Sequence, residues 1–180
     1  MSKIIAIVGG PGTGKTALVR ELARRGYHVI EEAARQVIDE GLANGETIEK
    51  IRANNERFQR AVLERKIKNE NISSNQANDD EFIFSDRGMH ETWAYFQTYG
   101  MNMDSDLDNM LRTHTYYRVF LLDMLDNYDR EDYARTESRK EAEELHRLTE
   151  LAYRRYGVKV DNLPAMSVEK RADYVLDIIF

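Results

Sequence analysis

The chain has 180 residues, a formal net charge of −6 at pH 7 and no cysteine. Its length suits a single domain over residues 1–180, which would bury about 70% of the surface that the unfolded chain exposes. The lack of cysteine excludes disulfide bonds, thiolate metal sites and cysteine nucleophiles, and the acidic balance argues against nucleic acid as a partner, because phosphate backbones are bound by clustered lysine and arginine.

The start of the chain predicts a protein of the cytoplasm. Met1, Ser2 and Lys3 lead directly into a predicted strand, without the apolar segment of a signal peptide. The sequence also has no run of about twenty apolar residues, so we expect no membrane-spanning helix.

A strand, a glycine-rich loop and a helix are predicted next. The apolar run from Ile4 to Val8 is typical of a buried parallel strand, and residues 17–25 predict a helix. Between them, residues 9–16 match the phosphate-binding pattern G-x-x-x-x-G-K-[ST] without a mismatch. In this pattern the loop amides and the lysine bind nucleotide phosphates, and the last hydroxyl binds Mg²⁺. The predicted nucleotide-contacting residues are Gly9, Gly10, Pro11, Gly12, Thr13, Gly14, Lys15, Thr16 and Ala17.

Two adjacent acids follow a predicted second strand at residues 27–30. Glu31 and Glu32 lie where this strand gives way to a helix over about residues 33–40. Ligands of open α/β sheets bind at the carboxyl ends of the strands, so one of these acids is a candidate catalytic base. Alternatively, both acids favour the helix N-terminus, where negative charge stabilises the helix dipole.

The next part of the chain predicts a long helix and then a loop. Thr47 is a candidate N-cap for a helix that runs to about Lys68, with apolar residues near helical spacing. Residues 69–80 are almost all polar, and they predict an exposed, mobile loop.

Asp86 and Arg87 form a second candidate centre at the end of an apolar strand that begins at Glu81. A strand that ends in an acid is typical of a Walker B element, whose carboxylate helps to hold Mg²⁺, so Asp86 is predicted to act with Thr16 on the metal. Arg87 is a candidate to bind a phosphate through two hydrogen bonds. In the alternative interpretation, Asp86 caps the next helix and Arg87 forms an ion pair.

The helix after this centre carries many aromatic residues. Trp93 and Phe96 are spaced for packing in the core. His90, one turn from Asp86, is a candidate to line a pocket. The segment as a whole, which also carries Tyr95 and Tyr99, could supply the wall of an acceptor pocket, with aromatic rings for a planar group.

A further strand is predicted over residues 116–123, and a charged segment follows it. Asp123 is either a site residue or a turn former. The segment from residue 124 to 140 is either a solvated surface or a lid, in which Arg135, and less so Arg130, neutralises the charge of a transition state.

The last third of the chain predicts two helices and a short strand. Ser138 begins a capping box for a helix to about Tyr156, residues 158–160 predict a fifth strand, and Ser167 caps a final helix. Alternating strands and helices predict a three-layer α/β fold with a parallel sheet.

Four motifs together resemble the small AAA-like P-loop NTPase family that includes the TRPL-translocation-defect-type proteins. These motifs are the phosphate loop, Glu32-Ala33-Ala34-Arg35, Asp86-Arg87-Gly88 and Arg135-Thr136-Glu137. That family is similar in turn to the nicotinamide riboside kinase domain of NadR. The resemblance implies a kinase-type arrangement of a five-stranded parallel sheet, with the Asp86 strand beside the phosphate-loop strand. It also implies that Glu32 accepts the proton of an attacking hydroxyl and that Arg87 clamps substrate or phosphate.

These observations predict an ATP-dependent, Mg²⁺-requiring kinase that phosphorylates a hydroxyl of a small, nucleoside- or riboside-like acceptor. The predicted catalytic residues are Lys15, Glu32, Asp86, Arg87 and Arg135, and the predicted metal ligands are Thr16 and Asp86. No N/T-K-x-D motif supports a preference for GTP, although GTP is not excluded. The alternative is a regulatory nucleotide-binding module that hydrolyses NTP slowly and acts on a protein or lipid partner. In that module, nucleotide would order residues 69–80 and the charged segment around Arg130.

Overall fold

The computed structural model of the protein describes residues 3–125 and 137–180. The described residues form a five-stranded sheet in the order β2-β3-β1-β4-β5, and every neighbouring pair is parallel. The strands are β1 (Lys3–Val8), β2 (His28–Ile30), β3 (Phe82–Asp86), β4 (Arg118–Leu122) and β5 (Asp161–Leu163). The predicted parallel sheet is therefore confirmed, with β3 directly beside β1.

Eight helices are described around this sheet. They are α1 (Lys15–Arg24), α2 (Ala33–Ala43), α3 (Ile48–Arg52), α4 (Asn55–Gln76), α5 (Glu91–Thr98), α6 (Ser105–Thr113), α7 (Arg139–Arg155) and α8 (Val168–Ile179). The predicted caps are present: Thr47 and Ser167 each accept a hydrogen bond from the helix backbone, and Ser138 forms the capping box with Glu141. Within the described ranges, none of the helices has the length and apolar character needed to cross a membrane.

The core lies on both faces of the sheet. Ile5 and Ile7 of β1 pack on one face with residues of α1 and α8, while Ala6 and Val8 pack on the other face with Tyr153 of α7. The alternation follows from the period of two in a strand, and it gives the three layers that were predicted.

The sheet register brings the candidate site together. Ile7 of β1 is opposite Asp86 of β3, and Ile30 at the end of β2 is opposite Ser85. Because the strands are parallel, the segments that follow β1, β2 and β3 leave the sheet at the same edge. The phosphate loop, Glu32 and Asp86 are thus neighbours, although they are far apart in the sequence.

The predicted helix from Thr47 to Lys68 and the predicted loop over residues 69–80 are wrong in their boundaries. The predicted helix is interrupted after α3. A second helix, α4, begins after Asn54, whose side chain caps it by accepting a hydrogen bond from the Arg57 amide. Helix α4 continues to Gln76, so most of the predicted loop is helical. Glu70 and Ser73 are buried in this stretch, and these tertiary contacts outweigh the weak helix propensity of its polar residues.

The fifth strand lies at Asp161–Leu163 rather than at residues 158–160. Leu163 is the residue that is fully buried against β4, whereas Val158 and Val160 are only partly buried. Arg118 Nε also donates to Asp161 Oδ2 at 2.6 Å, which pairs the starts of β4 and β5. The two valines of the Val-x-Val pattern therefore precede the strand and are not part of it.

Candidate active site

The phosphate loop joins β1 to α1 and has the backbone that its glycines predict. Gly12 and Gly14 have φ values of 79° and 87°, which is the left-handed region where a Cβ is strained. Gly10 lies so close to α7 that an added Cβ would come within 2.6 Å of the Ala142 carbonyl oxygen. Small residues are therefore required for the shape of the loop and for its contact with α7.

Two side chains that sequence reasoning missed, buried Arg171 and partly buried His146, hold the phosphate loop through hydrogen bonds. Arg171 of α8 is only 2% exposed, and its guanidinium donates to the carbonyl oxygens of Thr13, Pro164 (3.0 Å) and Asp123 (3.1 Å). The Gly10 amide donates to His146 Nδ1 at 3.2 Å. Arg171 and His146 thus position the loop, although neither residue belongs to a sequence motif that would have identified it.

Lys15 is folded back onto this loop and is only 5% exposed. Its Nζ donates to the carbonyl oxygen of Gly10 at 2.7 Å and to Thr13 Oγ1 at 3.3 Å. Burial, together with the positive charge of Arg87, lowers the pKa of Lys15 from 10.5 to about 8. The ammonium group is still mostly protonated at neutral pH, so it is available to an anionic ligand.

Thr16 and Asp86, the two predicted metal ligands, lie next to each other. Thr16 Oγ1 donates to Asp86 Oδ2 at 2.7 Å. Asp86 is 3% exposed, and its other oxygen, Oδ1, has no hydrogen-bond partner among the described residues. Burial and the negative charge of Glu32 raise the pKa of Asp86 from 3.8 to about 6.

This pair fits Mg²⁺, which prefers hard oxygen ligands. The unpartnered carboxylate oxygen beside a hydroxyl is the donor set that such an ion needs from a P-loop protein. The described ranges contain no cluster of three or more histidine or acidic side chains placed to hold a metal. Thr16 and Asp86 would therefore share the ion with water and phosphate oxygens.

Arg87 links Glu32 to Glu91 at the end of β3. Arg87 Nε donates to Glu32 Oε1 at 2.7 Å, and its Nη1 donates to Glu91 Oε1 at 3.3 Å. The backbone of Arg87 has a φ of 78°, an uncommon value for a residue other than glycine. Such strain persists only where the surroundings impose it, and it is concentrated at functional sites.

The environments of Glu32 and Asp86 shift their pKa values in opposite directions. Burial raises the pKa of Glu32, but the charge and hydrogen bond of Arg87 and the charge of Lys15 outweigh it, so the net shift is downward. Glu32 is therefore ionised at neutral pH. Glu31 is exposed to solvent, so of the two adjacent acids it is Glu32 that faces the site.

A buried network under Gly88 and Met89 supports the unusual backbone of Arg87. Lys66 Nζ of α4 donates to the Gly88 carbonyl oxygen at 2.9 Å, and the Met89 amide donates to Tyr116 Oη at 2.7 Å. Tyr116 in turn donates to Glu70 Oε1 at 2.7 Å. Lys66 and Glu70 lie on the same face of α4 as its buried apolar residues. This helical spacing is the feature of the sequence that predicts their burial.

His90 does not line the pocket, so that prediction is wrong. Its ring is fully buried, and Nε2 lies 2.9 Å from the carbonyl oxygen of Leu111. The ring packs near those of Tyr153 and Tyr156, and burial lowers its pKa to about 4. His90 is thus a neutral core residue, while Phe96 is fully buried as predicted.

A cavity of about 540 Å³ opens beside the phosphate loop. Of the predicted loop residues, six line this cavity (Pro11, Gly12, Gly14, Lys15, Thr16 and Ala17), and Gly9, Gly10 and Thr13 form the back of the loop. Glu32 and Arg87 line it as well. Tyr95 and Tyr99 also line it, and they belong to the aromatic segment that was predicted to supply the wall of an acceptor pocket. The part of the wall that was not predicted includes Arg35, Arg52, Phe58, Gln59, Lys66 and Glu137.

The lid prediction cannot be placed in this geometry. Arg130 and Arg135 lie outside the described residues. Glu137, next to that segment, lines the cavity and lies 3.7 Å from Arg52 Nη1. Asp123 has an exposed side chain, and its backbone carbonyl oxygen accepts a hydrogen bond from Arg171.

The fold and the site together define a P-loop protein with the kinase-type arrangement of strands. The chain belongs to the AAA domain family, whose model matches residues 4–171. A comparison with curated proteins gave no match.

Several solved kinase structures share this fold. The NadR protein in complex with NR has a TM-score of 0.73 and 18% identity, and the alignment covers 99% of this chain but 50% of that chain. Deoxyadenosine kinase from M. mycoides with bound dATP has a TM-score of 0.67 and 16% identity, with 98% of both chains covered. Shikimate kinase from Acinetobacter baumannii in complex with shikimate has a TM-score of 0.60 and 17% identity, with 99% of this chain and 93% of that chain covered. The chain thus spans about half the length of the NadR protein, and at these identities the likeness establishes the fold.

Proposed function

We propose that the protein is an ATP-dependent, Mg²⁺-requiring kinase that transfers the γ-phosphoryl group to a hydroxyl of a small, nucleoside- or riboside-like acceptor. The observation that carries the proposal is that one cavity contains both the phosphate loop and an ionised carboxylate, Glu32, with room and aromatic walls for a second ligand. A protein that only bound a nucleotide would have no need of a buried carboxylate facing a second ligand.

In the proposed reaction, the oxygen of the acceptor hydroxyl attacks the γ-phosphorus of ATP. A new oxygen–phosphorus bond forms, the bond to the β-phosphate oxygen breaks, and ADP leaves. The hydroxyl proton passes to the Glu32 carboxylate and then to solvent. Lys15 and the loop amides bind the phosphates, and most of the rate enhancement comes from positioning and from stabilisation of charge.

Thr16 and Asp86 would hold Mg²⁺, which neutralises phosphate charge when it is bound. Arg87 is proposed to clamp phosphate or substrate, and Arg135 to act in a lid. The pairing of Arg87 with Glu32 keeps both side chains in place before a ligand arrives. The resemblance to TRPL-translocation-defect-type proteins stays a prediction.

The test is ATP consumption by the purified protein with Mg²⁺, measured without an acceptor and with a panel of nucleosides, ribosides and small alcohols. Lys15→Ala serves as the blank. We expect consumption that depends on an acceptor and is lost in the blank. Slow hydrolysis without any acceptor would instead favour the regulatory module, although residues 69–76, part of the loop that this alternative would order, are already helical.

A further inference from the structure

Gln59 is a buried amide on the wall of the phosphate-loop cavity. It lies in the second turn of α4, beside Phe58 and near Val62, both of which belong to the core cluster between α2 and α4. Gln59 is 6% exposed, and it lines the same cavity as Lys15 and Glu32. Across residues 3–125 and 137–180, its side-chain amide has no hydrogen-bond partner, and the amide is open to the cavity.

Two other buried polar residues of α4, Lys66 and Glu70, are paired within the protein. Lys66 donates to the Gly88 carbonyl oxygen, and Glu70 accepts from Tyr116. A buried amide without a compensating hydrogen bond is unfavourable, and most buried polar groups in proteins are paired for this reason. Gln59 has no such partner in the protein and its side chain lines the cavity, which points to a ligand as its partner.

The surroundings of Gln59 restrict what this ligand can be. Aromatic rings of Phe58, Tyr95 and Tyr99 line the cavity, and the Tyr95 and Tyr99 rings are stacked with centroids 6.4 Å apart. Apolar and aromatic walls with a few polar groups are typical of sites for planar ligands. A glutamine side chain presents a donor NH₂ group and an acceptor oxygen next to each other. A ligand that is complementary to this side chain has an edge that carries an acceptor beside a donor.

We propose that Gln59 determines acceptor specificity by hydrogen bonding to the edge of a planar group that carries an acceptor next to a donor. The inference rests on the proposed kinase function, because it assigns this planar group to the phosphoryl acceptor. An amino-substituted purine or pyrimidine ring has such an edge, and so does a ring that bears a carboxamide. Gln59 hydrogen bonds to the acceptor and does not take part in the transfer of the phosphoryl group.

The first experiment compares matched acceptors that differ only at this edge. Adenosine is paired with purine riboside, which lacks the amino group, and nicotinamide riboside is paired with nicotinic acid riboside, which lacks the amide donor. We expect the wild type to prefer the complete edge in one of the pairs by about tenfold in kcat/KM, the usual worth of a hydrogen bond in such a site. The pair that is discriminated identifies the source of the edge.

The matched variant is Gln59→Met, which keeps the length of the side chain and removes the amide. We expect it to lose the preference within the discriminated pair and to leave the KM for ATP within about twofold, since Gln59 is assigned to the acceptor and not to the phosphates. Binding of the same acceptors, measured by calorimetry with AMP-PNP and Mg²⁺ present, reports the preference without any transfer. A wild-type protein that discriminates neither pair in turnover or binding, or a variant that discriminates as well as the wild type, would overturn the inference.

A stability measurement separates a ligand-directed amide from a structural one. Gln36 of α2 is the control, because its Oε1 accepts from Asn69 Nδ2 at 2.9 Å. We expect Gln59→Met to keep Tm within about 2 °C of the wild type, because its amide is open to the cavity and no hydrogen bond within the protein is lost, and Gln36→Met to lower Tm. A fall in Tm for both variants would show that Gln59 is satisfied within the protein.

The outcomes for the two proposals are distinct. If binding of one member of a pair depends on Gln59 but no acceptor supports ATP consumption, the Gln59 site stands and the kinase reaction falls. If acceptor-dependent consumption is found but is indifferent to the edge and to Gln59→Met, the kinase reaction stands and the Gln59 site falls.

Discussion

Replacing Asp86 with asparagine should stabilise the folded protein at neutral pH while impairing its proposed activity. The folded state raises the pKa of Asp86 from 3.8 to about 6, first through burial and then through the charge of Glu32. Between these pH values the folded state binds a proton that the unfolded state has released, so the contribution of Asp86 to stability falls as the pH rises. Above the pKa that Asp86 has in the folded state, the ionised carboxylate lowers the free energy of unfolding by the full amount.

The magnitude follows from the size of the shift. A pKa change from 3.8 to about 6 corresponds to about 3 kcal/mol at neutral pH, and Asp86 is buried enough that solvent screening does not remove it. Asparagine has no charge to desolvate, and its amide oxygen can still accept from Thr16 Oγ1. We therefore expect Asp86→Asn to be more stable than the wild type by about 3 kcal/mol at pH 7.5 and by almost nothing near pH 4.

Urea unfolding at pH 4, 5, 6 and 7.5 measures this difference, with Asp123→Asn as the control because the Asp123 side chain is exposed. The control should stay within about 0.5 kcal/mol of the wild type at every pH. Mg²⁺ with AMP-PNP should raise the Tm of the wild type more than that of Asp86→Asn, since the variant lacks the carboxylate that would hold the ion. An Asp86→Asn protein that is less stable at pH 7.5, or whose difference from the wild type does not depend on pH, would refute the reasoning.

Three further changes test the site. Glu32→Gln should lower the rate of phosphoryl transfer by about 10²–10⁴-fold and keep ATP affinity, measured with a fluorescent nucleotide; full activity would remove Glu32 from the mechanism. Arg171→Met should lower the free energy of unfolding by about 3 kcal/mol, because three carbonyl oxygens lose their donor, and unchanged urea unfolding would contradict this. Lys66→Met should lower kcat by about tenfold with little change in the KM for ATP, because the backbone beside Arg87 loses a support; an effect confined to the KM for ATP would argue against this role.

The parts of the site that could be predicted from the sequence are those that local pattern specifies. The phosphate loop is a contiguous motif, and its glycines dictate the backbone. Asp86 ends an apolar strand, and parallel pairing of that strand with β1 is enough to bring Asp86 to Thr16. The residue pattern limited the candidate base to Glu31 and Glu32, and the family resemblance selected Glu32, which is the one that lines the cavity.

The residues that were missed are single polar side chains on amphipathic helices. Arg171 and Gln59 have no local feature that distinguishes them from solvated residues. The polar residues of α4 did carry a signal, because Lys66, Glu70 and Ser73 follow Phe58 and Val62 at helical spacing on one face. This spacing predicts a helix that continues past Lys68, and it predicts that the polar residues on this face are buried and paired.

The ion pair between Glu32 and Arg87 has a consequence for the order of events in the proposed reaction. While Arg87 donates to Glu32, its charge and hydrogen bond keep the pKa of Glu32 low, and a carboxylate of low pKa is a weak base. If phosphate oxygens of a bound nucleotide drew the Arg87 guanidinium away from Glu32, the pKa of Glu32 would rise, because only the charges of Lys15 and Arg35 would then oppose the effect of burial. Glu32 would then be a stronger base when the nucleotide is in place, and this would limit proton abstraction to the complex in which transfer can follow.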